Sequence, residues 1–501
     1  MSHLLGIDLG TSRVKVLLVN ENGQIIGKGD QGYPFLTPQP GWVEQDPEQW
    51  WYATITAVRQ ALDGIEDKRA ITGIGLCGQM HGTVLLDGKN RLLGRAVIWP
   101  DQRSTKQVKE ISQLVGSQRL VEITGSPAAS GFQAATIRWF QQENAKLFGR
   151  THTVLLPKDY LRWRMTDVIS SEPSDGAGSL LLDGQSRKWS VEILAKLGID
   201  VDILPKIQPS LSIAGKLSRS AGQILGLPAG IPVITGTSDT ASSLLGAGIT
   251  STRELLLTIS TGGQLVLPAF EFKIDKLGRM HTFCSALEPN PQQAGWYLMS
   301  ATLSAGLSLR WLRDNILKNV GGYGQLTTWA EGATIGADGL IFWPYLLGER
   351  SPLMDAKARG MFIGLTTRHG KEELVRAVME GVVFSLYDAY QVLIAAGVEP
   401  ERIILSGGGA KSKLWNQIVA DVFGMPVHRL QVGEQSALGA ALLAGSGIGL
   451  FDIIETSREW AEYDAAIAPN LANKSRYQEV FTLYHKIYRK LKEHGMISMG
   501  D

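Results

Sequence analysis

"LLGIDLGTSRVKVLLVN", residues 4–20, places two apolar runs on either side of "DLGTSR". Runs of this kind joined through Gly, Thr and Ser read as the two strands of a hairpin, with Gly10 in the tight turn and Asp8 closing the first strand. Asp and Gly are ordinary turn residues. A carboxylate beside small residues is equally what a metal and phosphate site requires, so the hairpin by itself leaves both readings open.

Downstream, "GWVEQDPEQWWYATITAVRQAL" (41–62) offers Asp46 as an N-cap and Pro47 as the first helical residue, followed by apolar residues at helical spacing. Paired Trp50 and Trp51 at that helix start read as core. "ITGIGLCGQMHGTVLLD" (71–87) reads as strand, turn and strand, and strand and helix signals then alternate, which argues for α/β layers. Near residue 230 the opening theme returns. "IPVITGTSDTASSLLGAG" (231–248) puts Asp239 just past an apolar strand, and "ELLLTISTGGQLVLP" (254–268) repeats the plan of strand, Thr and Gly turn, strand. The recurrence predicts a duplicated architecture with domains over 1–250 and 251–501.

In the second half, "EELVRAVMEGVVFSLYDAYQVL" carries a helical stripe through Leu374, Val378, Val382 and Leu386. "RIILSGGGAKSKLWNQIVADVF" is a strand, a glycine turn and a helix with Leu414, Ile418 and Val422 on one face. A helix N-terminus behind three glycines suits an anion or a nucleotide edge. The final "YQEVFTLYHKIYRKLKEH" (477–494) reads as an amphipathic surface helix.

A chain of 501 residues is too long for one ordinary core, so two domains or three are expected. Apolar residues at 44% and charged residues at 19% are the balance of a globular protein. With 49 basic against 48 acidic residues and no basic block, nothing draws the chain to nucleic acid or an anionic membrane. Cys77 and Cys284 stand far apart outside any CxxC or Cys/His cluster, which argues against disulfide scaffolding and structural zinc and suits a reducing compartment. "MSHLLGIDLG" has no signal-peptide pattern, so a cytoplasmic location is expected. The uncharged "QSALGAALLAGSGIGLF" (435–451) is Gly- and Ser-rich and short for a membrane span, and reads as a buried helix followed by a turn.

"GIGLCG" (73–78) matches GxGxxG as a string, but a dinucleotide loop must open a helix, whereas a turn and strand follow here. "SRVK" matches SxxK but lies in a hairpin strand without the companion motifs. The remaining pieces suit phosphoryl transfer, in which catalysis is mostly positioning and charge stabilisation. Asp8 with Gly10, Thr11 and Ser12 supplies a metal-binding carboxylate and exposed backbone N–H groups. Thr261, Gly262 and Gly263 supply a second phosphate-facing hairpin, and Asp239 a carboxylate to receive an acceptor hydroxyl's proton.

The ordered motifs "GIDLGTSRVKV", "PGWVEQDPEQWW", "GQMHGTVLLD", "VIWPDQR", "LLPKDYLRWRMT", "PYLLGERSP", "RGMFIGLT" and "LSGGGAKSKLWNQIVAD" resemble those of the FGGY carbohydrate kinases, over residues 4–445. The resemblance implies two actin-like, ribonuclease-H-like α/β domains with an interdomain active-site cleft for ATP and sugar. It implies Asp8 as the Mg²⁺-associated carboxylate, Gly10, Thr11, Ser12 and Lys15 as the phosphate-facing hairpin, and Thr261 and Gly262 as its counterpart. Gly407, Gly408 and Gly409, with Ser412 and Lys413, resemble the wall against which adenosine rests. Asp239 falls at the position of the catalytic base, where an ordinary Asp, with a pKa of about 3.9, is ionised at neutral pH. Met80 and His81 of "QMHG" resemble the sugar motif, and Trp99, Asp101 and Arg103 lie where the family approaches or braces the sugar.

The chain departs from the family pattern at Thr240, where an amide is common beside the base, and at "STGG" (260–263). Arg13 stands where a small residue is usual and reads as a solvated side chain. The resemblance implies a pentulose kinase acting on D-xylulose, with ribulose, another ketose or a polyol as alternatives. An actin-superfamily ATPase and a silent sugar binder stand further off. The partners implied are a small sugar and ATP, and a homodimer is among the assemblies allowed.

Overall fold

The computed structural model describes residues 2–318 and 320–494. The opening hairpin is the centre of a mixed sheet. Strand His3–Leu9 pairs antiparallel with Arg13–Asn20, which pairs with Ile25–Gly32, and on its other side His3–Leu9 runs parallel to Ile71–Gly78. Pro232–Ile234 and Thr237–Ser238 continue the sheet beyond Ile71–Gly78. One sheet face buries Leu5, Ile7, Leu9, Val14, Val16 and Leu18 under the helix Pro47–Ala61. That helix starts as the sequence indicates, with the Asp46 carboxylate accepting from the Glu48 N–H and Pro47 at N1, and Trp50 and Trp51 buried in this core.

The second sheet repeats the plan. Glu254–Ile259 pairs antiparallel with Gly263–Ala269 and parallel with Arg402–Ser406, and Trp296–Thr302 with His281–Cys284 completes the meander. The helix Lys371–Ala395 runs under this sheet. Lys371–Ala395 is the one helix among the described residues long and apolar enough to cross a membrane by composition, and 83% of its most apolar stretch is buried within the protein. It is a core helix.

The uncharged stretch at 435 forms the helix Gln435–Gly447, but it covers the first sheet rather than the second. It lies so close that a Cβ on Gly6 would fall 2.0 Å from the Ala437 carbonyl oxygen, and one on Gly75 would fall 1.8 Å from that of Ala440. The same helix crosses Asp239–Gly246 at a glycine pair: a Cβ on Gly246 would sit 1.8 Å from the Gln435 oxygen, and one on Gly439 2.0 Å from the Ser242 oxygen. The two halves also meet at the edge strand His281–Cys284, where the Thr282 N–H donates to the Gly125 oxygen at 2.8 Å. Arg187 Nη1 donates to the Gly295 oxygen at 2.7 Å and Trp296 Nε1 to the Gly184 oxygen at 2.7 Å.

The C-terminal segment is more deeply engaged than a surface helix. Leu471–Glu493 buries Tyr477, Tyr484 and Tyr488, with the Tyr484 and Tyr345 hydroxyls 2.9 Å apart and Tyr477 linked to the buried Arg376–Glu380 pair. A tyrosine stripe looks amphipathic in sequence because its polar tips are invisible partners for groups far away in the chain.

Gly439→Ala is expected to lower stability by about 2 kcal/mol or more, because backbone and not a movable side chain occupies the space. Urea unfolding midpoints measure this; an unchanged midpoint would mean that the helices do not cross so closely.

Candidate active site

Strand register assembles the carboxylates. Asp8 lies opposite Lys15 on one side and Cys77 on the other, and Cys77 lies beside Thr237. Side chains alternate along a strand, so Asp8 shares the sheet face of Gly6, the face covered by helix Gln435–Gly447. Cys77 Sγ links them, donating towards Asp8 Oδ1 at 3.6 Å and the Ser436 oxygen at 3.4 Å. Asp239 follows at the start of helix Asp239–Gly246, two residues beyond Thr237, with Ser238 as the N-cap.

Burial pushes the Asp8 carboxyl up to about 7, the charge of Asp239 adds to this, and Lys15 and the Cys77 thiol pull it back. Burial also raises Asp239 to about 6, against N–H and hydroxyl donation from Thr240. The ordinary carboxylate expected from sequence is therefore a stronger base than its type suggests, while remaining mostly ionised at neutral pH. Thr240 donates from Oγ1 to Asp239 Oδ1 at 3.2 Å, which gives the departure from the family pattern a direct contact with the Asp239 carboxylate.

The hairpin turn is held from below. Gly10 donates its N–H to the Arg13 oxygen at 3.1 Å and accepts from the Tyr33 hydroxyl. The Thr11 carbonyl accepts from Gln45 Nε2 at 2.6 Å, and its hydroxyl from Trp99 Nε1 at 2.9 Å. Gln45 Oε1 in turn accepts from Trp50 at 3.0 Å and Gln79 at 2.9 Å. Gln45 and Gln79 were not singled out from the sequence, although Gln79 opens "QMHG", because their pairing joins segments 34 residues apart. The Ser12 carbonyl accepts from the Tyr33 N–H at 3.1 Å, and Arg13 turns outward to an exposed ion pair with Asp30 at 2.7 Å.

Behind Asp239 lies a second group, of which the quoted motif "LLPKDYLRWRMT" holds Lys158, Asp159 and Arg162 without a role assigned, and of which Glu172, Ser174 and Asp175 were not singled out from the sequence. Fully buried Lys158 sits 2.7 Å from Asp159, 3.6 Å from Glu172 and 3.8 Å from Asp175. Glu172 accepts from the N–H of Ser174 at 2.7 Å and that of Asp175 at 2.9 Å. The Ser174 hydroxyl then meets Thr237 Oγ1 at 2.6 Å and accepts from the Ser238 N–H at 2.9 Å. The strand leading to Asp239 thus hangs from a buried ionic network, and breaking such a network is strongly destabilising.

The sugar-motif residues divide. His81 takes a positive φ of 75° and its Nδ1 donates to the Gly178 carbonyl at 2.6 Å, which leaves Nε2 as an acceptor; burial lowers the ring to about 4. Met80 is buried with its sulfur 3.9 Å from the Tyr297 hydroxyl of the other half. Asp101 is fully buried, and its carboxylate accepts from the Val43 N–H at 2.6 Å and the Arg103 N–H at 2.8 Å. Arg103 continues to Glu44 at 2.8 Å and stacks over Trp42. Asp101 and Arg103 therefore brace the loop that carries Trp99.

In the second half the turn Ser260–Gly263 caps the helix Gly306–Trp311, with the Thr261 oxygen accepting from Ala305 at 2.9 Å and Leu307 at 3.0 Å. A cleft of about 540 Å³ opens beside it, walled by Ser260, Thr261, Gly408, Gly409, Tyr323 and Trp415. Gly407 takes φ +84° against Ile259, Gly409 packs on the Ile259 side chain, and a Cβ on Gly408 would meet nothing within 4 Å. Ser412 lines the cleft and caps the helix Lys413–Phe423; Lys413 is exposed, and the lysine on the cleft wall is Lys411. Tyr323, Thr327 and Arg310 also line it, from segments without a sequence motif.

Two lobes with one sheet plan, a carboxylate pair at the end of the first and a glycine-walled cleft at the end of the second, define a two-domain phosphotransferase. Residues 3–246 match the N-terminal domain and residues 269–448 the C-terminal domain of the FGGY family of carbohydrate kinases. The chain belongs to that family, and is a sugar phosphotransferase with ATP as its phosphoryl donor. It is 37% identical to the xylulose kinase of Bacillus subtilis over 496 residues, covering 98% of both chains. It is 38% identical to the xylulose kinase of Escherichia coli K12 over 441 residues, covering 88% of this chain and 89% of that one. The crystal structure of a xyloylose kinase from Brucella ovis superposes with a TM-score of 0.90 at 34% identity, covering 98% of this chain and 99% of that one.

Gly408→Leu is expected to raise the KM for ATP about tenfold or more with an unchanged melting temperature, because the new side chain enters the cleft and touches no backbone. Gly409→Leu, aimed at Ile259, should instead lower the melting temperature. Steady-state kinetics with thermal melts separate the two.

Proposed function

We propose that this protein transfers the γ-phosphoryl group of ATP to O5 of D-xylulose, with Asp239 as general base. The observation that carries the reading is Asp239 at a helix start beside the sugar motif, one strand away from the Asp8 hairpin, in a chain related over nearly its full length to xylulose kinases. Met80 forms an apolar wall for the sugar, and His81 Nε2 accepts from a sugar hydroxyl. As the acceptor oxygen attacks the γ-phosphorus, its proton passes to Asp239, the bond from the γ-phosphorus to the bridging oxygen breaks, and ADP departs.

The residues around Asp8 fit Mg²⁺. Asp8 and Asp239 are oxygen donors whose mutual repulsion a cation would relieve, and Mg²⁺ is ordinarily held by one or two carboxylates plus substrate phosphates. Asp8 would hold the ion, whose chemistry is to neutralise phosphate charge. Thr11, Ser12 and Lys15 on one hairpin, and Thr261 and Gly262 on the other, approach the phosphates; Gly408, Gly409 and Ser412 wall the adenosine, with Gly407 shaping the turn behind them.

Asp239→Asn is expected to reduce kcat by about 10²- to 10⁴-fold while leaving the KM for ATP near the wild-type value. ADP release with D-xylulose, D-ribulose, xylitol and glycerol as acceptors measures this, and preference for another acceptor would overturn the D-xylulose reading. Because Asp239 must be ionised and sits at about 6, kcat/KM should fall tenfold per pH unit below that value and level off above it. A profile flat down to pH 5 would remove Asp239 as the base.

A further inference from the structure

Four successive residues leading into the helix Gln133–Glu143 touch the Trp99 loop and the sugar motif in turn, although the stretch "SGFQ" (130–133) lies outside the motifs read from the sequence. The Ser130 hydroxyl donates to Gln102 Oε1 at 2.7 Å. Gly131, at φ +80°, lies so close to Trp99 that a Cβ would fall 2.1 Å from the Trp99 carbonyl oxygen. The Phe132 ring packs on the His81 ring at 3.9 Å between centroids. Buried Gln133 donates from Nε2 to the oxygens of Gly82 and Leu155, both at 3.2 Å. One short stretch thus joins the loop whose indole reaches the Thr11 hydroxyl to His81 and the residue after it.

His81 needs such support. Its φ of 75° lies in the left-handed region, which a residue other than glycine keeps only where its surroundings impose it. Among the described residues its side chain has one hydrogen bond, from Nδ1 to the Gly178 oxygen at 2.6 Å. A single hydrogen bond lets the ring swing about it, and packing against Phe132 removes that freedom. Phe132 is itself held, being 7% exposed and lying 6.1 Å from the His281 ring at 19° to it. His281 belongs to the edge strand of the second sheet, where it stacks on Phe283 at 5.4 Å and its Nδ1 lies 3.1 Å from the Ser126 hydroxyl. The wall around His81 is therefore built from both halves, with Phe132 beside an imidazole of each.

We propose that Phe132 is a positioning residue for the acceptor site, holding the His81 ring so that Nε2 stands ready to accept from a sugar hydroxyl, while Gly131 and Gln133 keep that ring in register with the Trp99 loop. This rests on the acceptor site proposed above. Phe132 acts only through His81, since its own side chain has no polar atom. An acceptor atom fixed before the sugar arrives need not be ordered on binding, so losing the ring contact weakens sugar affinity and leaves phosphoryl transfer in place.

The test is a double-mutant cycle of wild type, Phe132→Leu, His81→Gly and the two together, with D-xylulose as acceptor and thermal melts alongside. Glycine is the replacement at 81 because it accepts the positive φ. Phe132→Leu should raise the KM for D-xylulose about tenfold, with the KM for ATP unchanged and kcat within a few-fold. In the His81→Gly background the same substitution should add less than about twofold, because the ring it steadies is gone. An equal effect with and without His81, or a fall in kcat and melting temperature at unchanged KM, would make Phe132 packing alone and overturn the proposal. A raised KM in His81→Gly with no effect of Phe132→Leu would overturn this proposal and spare the acceptor site, whereas an unchanged KM in His81→Gly would overturn both. Where Phe132→Leu does not fold, Phe132→Met, which fills the space without a ring, carries the same cycle. If the wild type prefers another acceptor, the D-xylulose reading fails separately, and the cycle run on that acceptor decides the role of Phe132.

Discussion

Backbone lies directly on backbone where helix Gln435–Gly447 meets the first sheet and helix Asp239–Gly246. Gly6 and Gly75 in the strands, and Gly246 and Gly439 at the crossing, leave no room for a Cβ, so the helices and sheet approach as closely as main chain permits. Three consequences follow from this one contact. The second half is tied to the first, the helix that carries Asp239 at its start is fixed, and Ser436 is brought to Cys77 at the edge of the Asp8 site. Protein interiors are packed too densely to deform continuously, so such a junction rotates or holds as a unit.

Around that junction the protein keeps charge out of water at some expense and answers it locally. Asp8 and Asp239 are buried together, and their carboxyls rise to about 7 and about 6. Lys158 and Arg162 face Asp159, Glu172 and Asp175 in a wholly buried group, and that group sets the strand before Asp239 through Ser174. A carboxylate suspended from such a group is held in place by geometry that an apolar core could not specify. The raised pKa also makes the Asp239 carboxylate a stronger proton acceptor than an ordinary Asp.

The lobes share one sheet plan but differ in what they hold. The first ends in carboxylates and a hairpin braced by Gln45, Gln79 and Trp99. The second ends in a cleft where Gly408 presents bare backbone and Tyr323 and Trp415 provide aromatic walls. Edge strand His281–Cys284 crosses back to the first lobe, so the wall around His81 draws on both halves, whereas the glycine-walled cleft is lined by residues of the second.

The sequence by itself determined the local pieces. The hairpin at Asp8, the helix capped by Asp46, the repeated strand plan near residue 254 and the helix after Ser412 are all legible, because turn chemistry, capping and periodicity act over a few residues. The ordered motifs identified the family. Only the tertiary structure decided which pieces meet. That helix Gln435–Gly447 would cover the first sheet, that Asp101 would be consumed in bracing a loop, and that Lys411 rather than Lys413 would face the cleft depend on contacts between distant segments. The raised pKa of Asp239 and the network behind it arise from burial, a property of the assembled molecule that no stretch of chain carries alone.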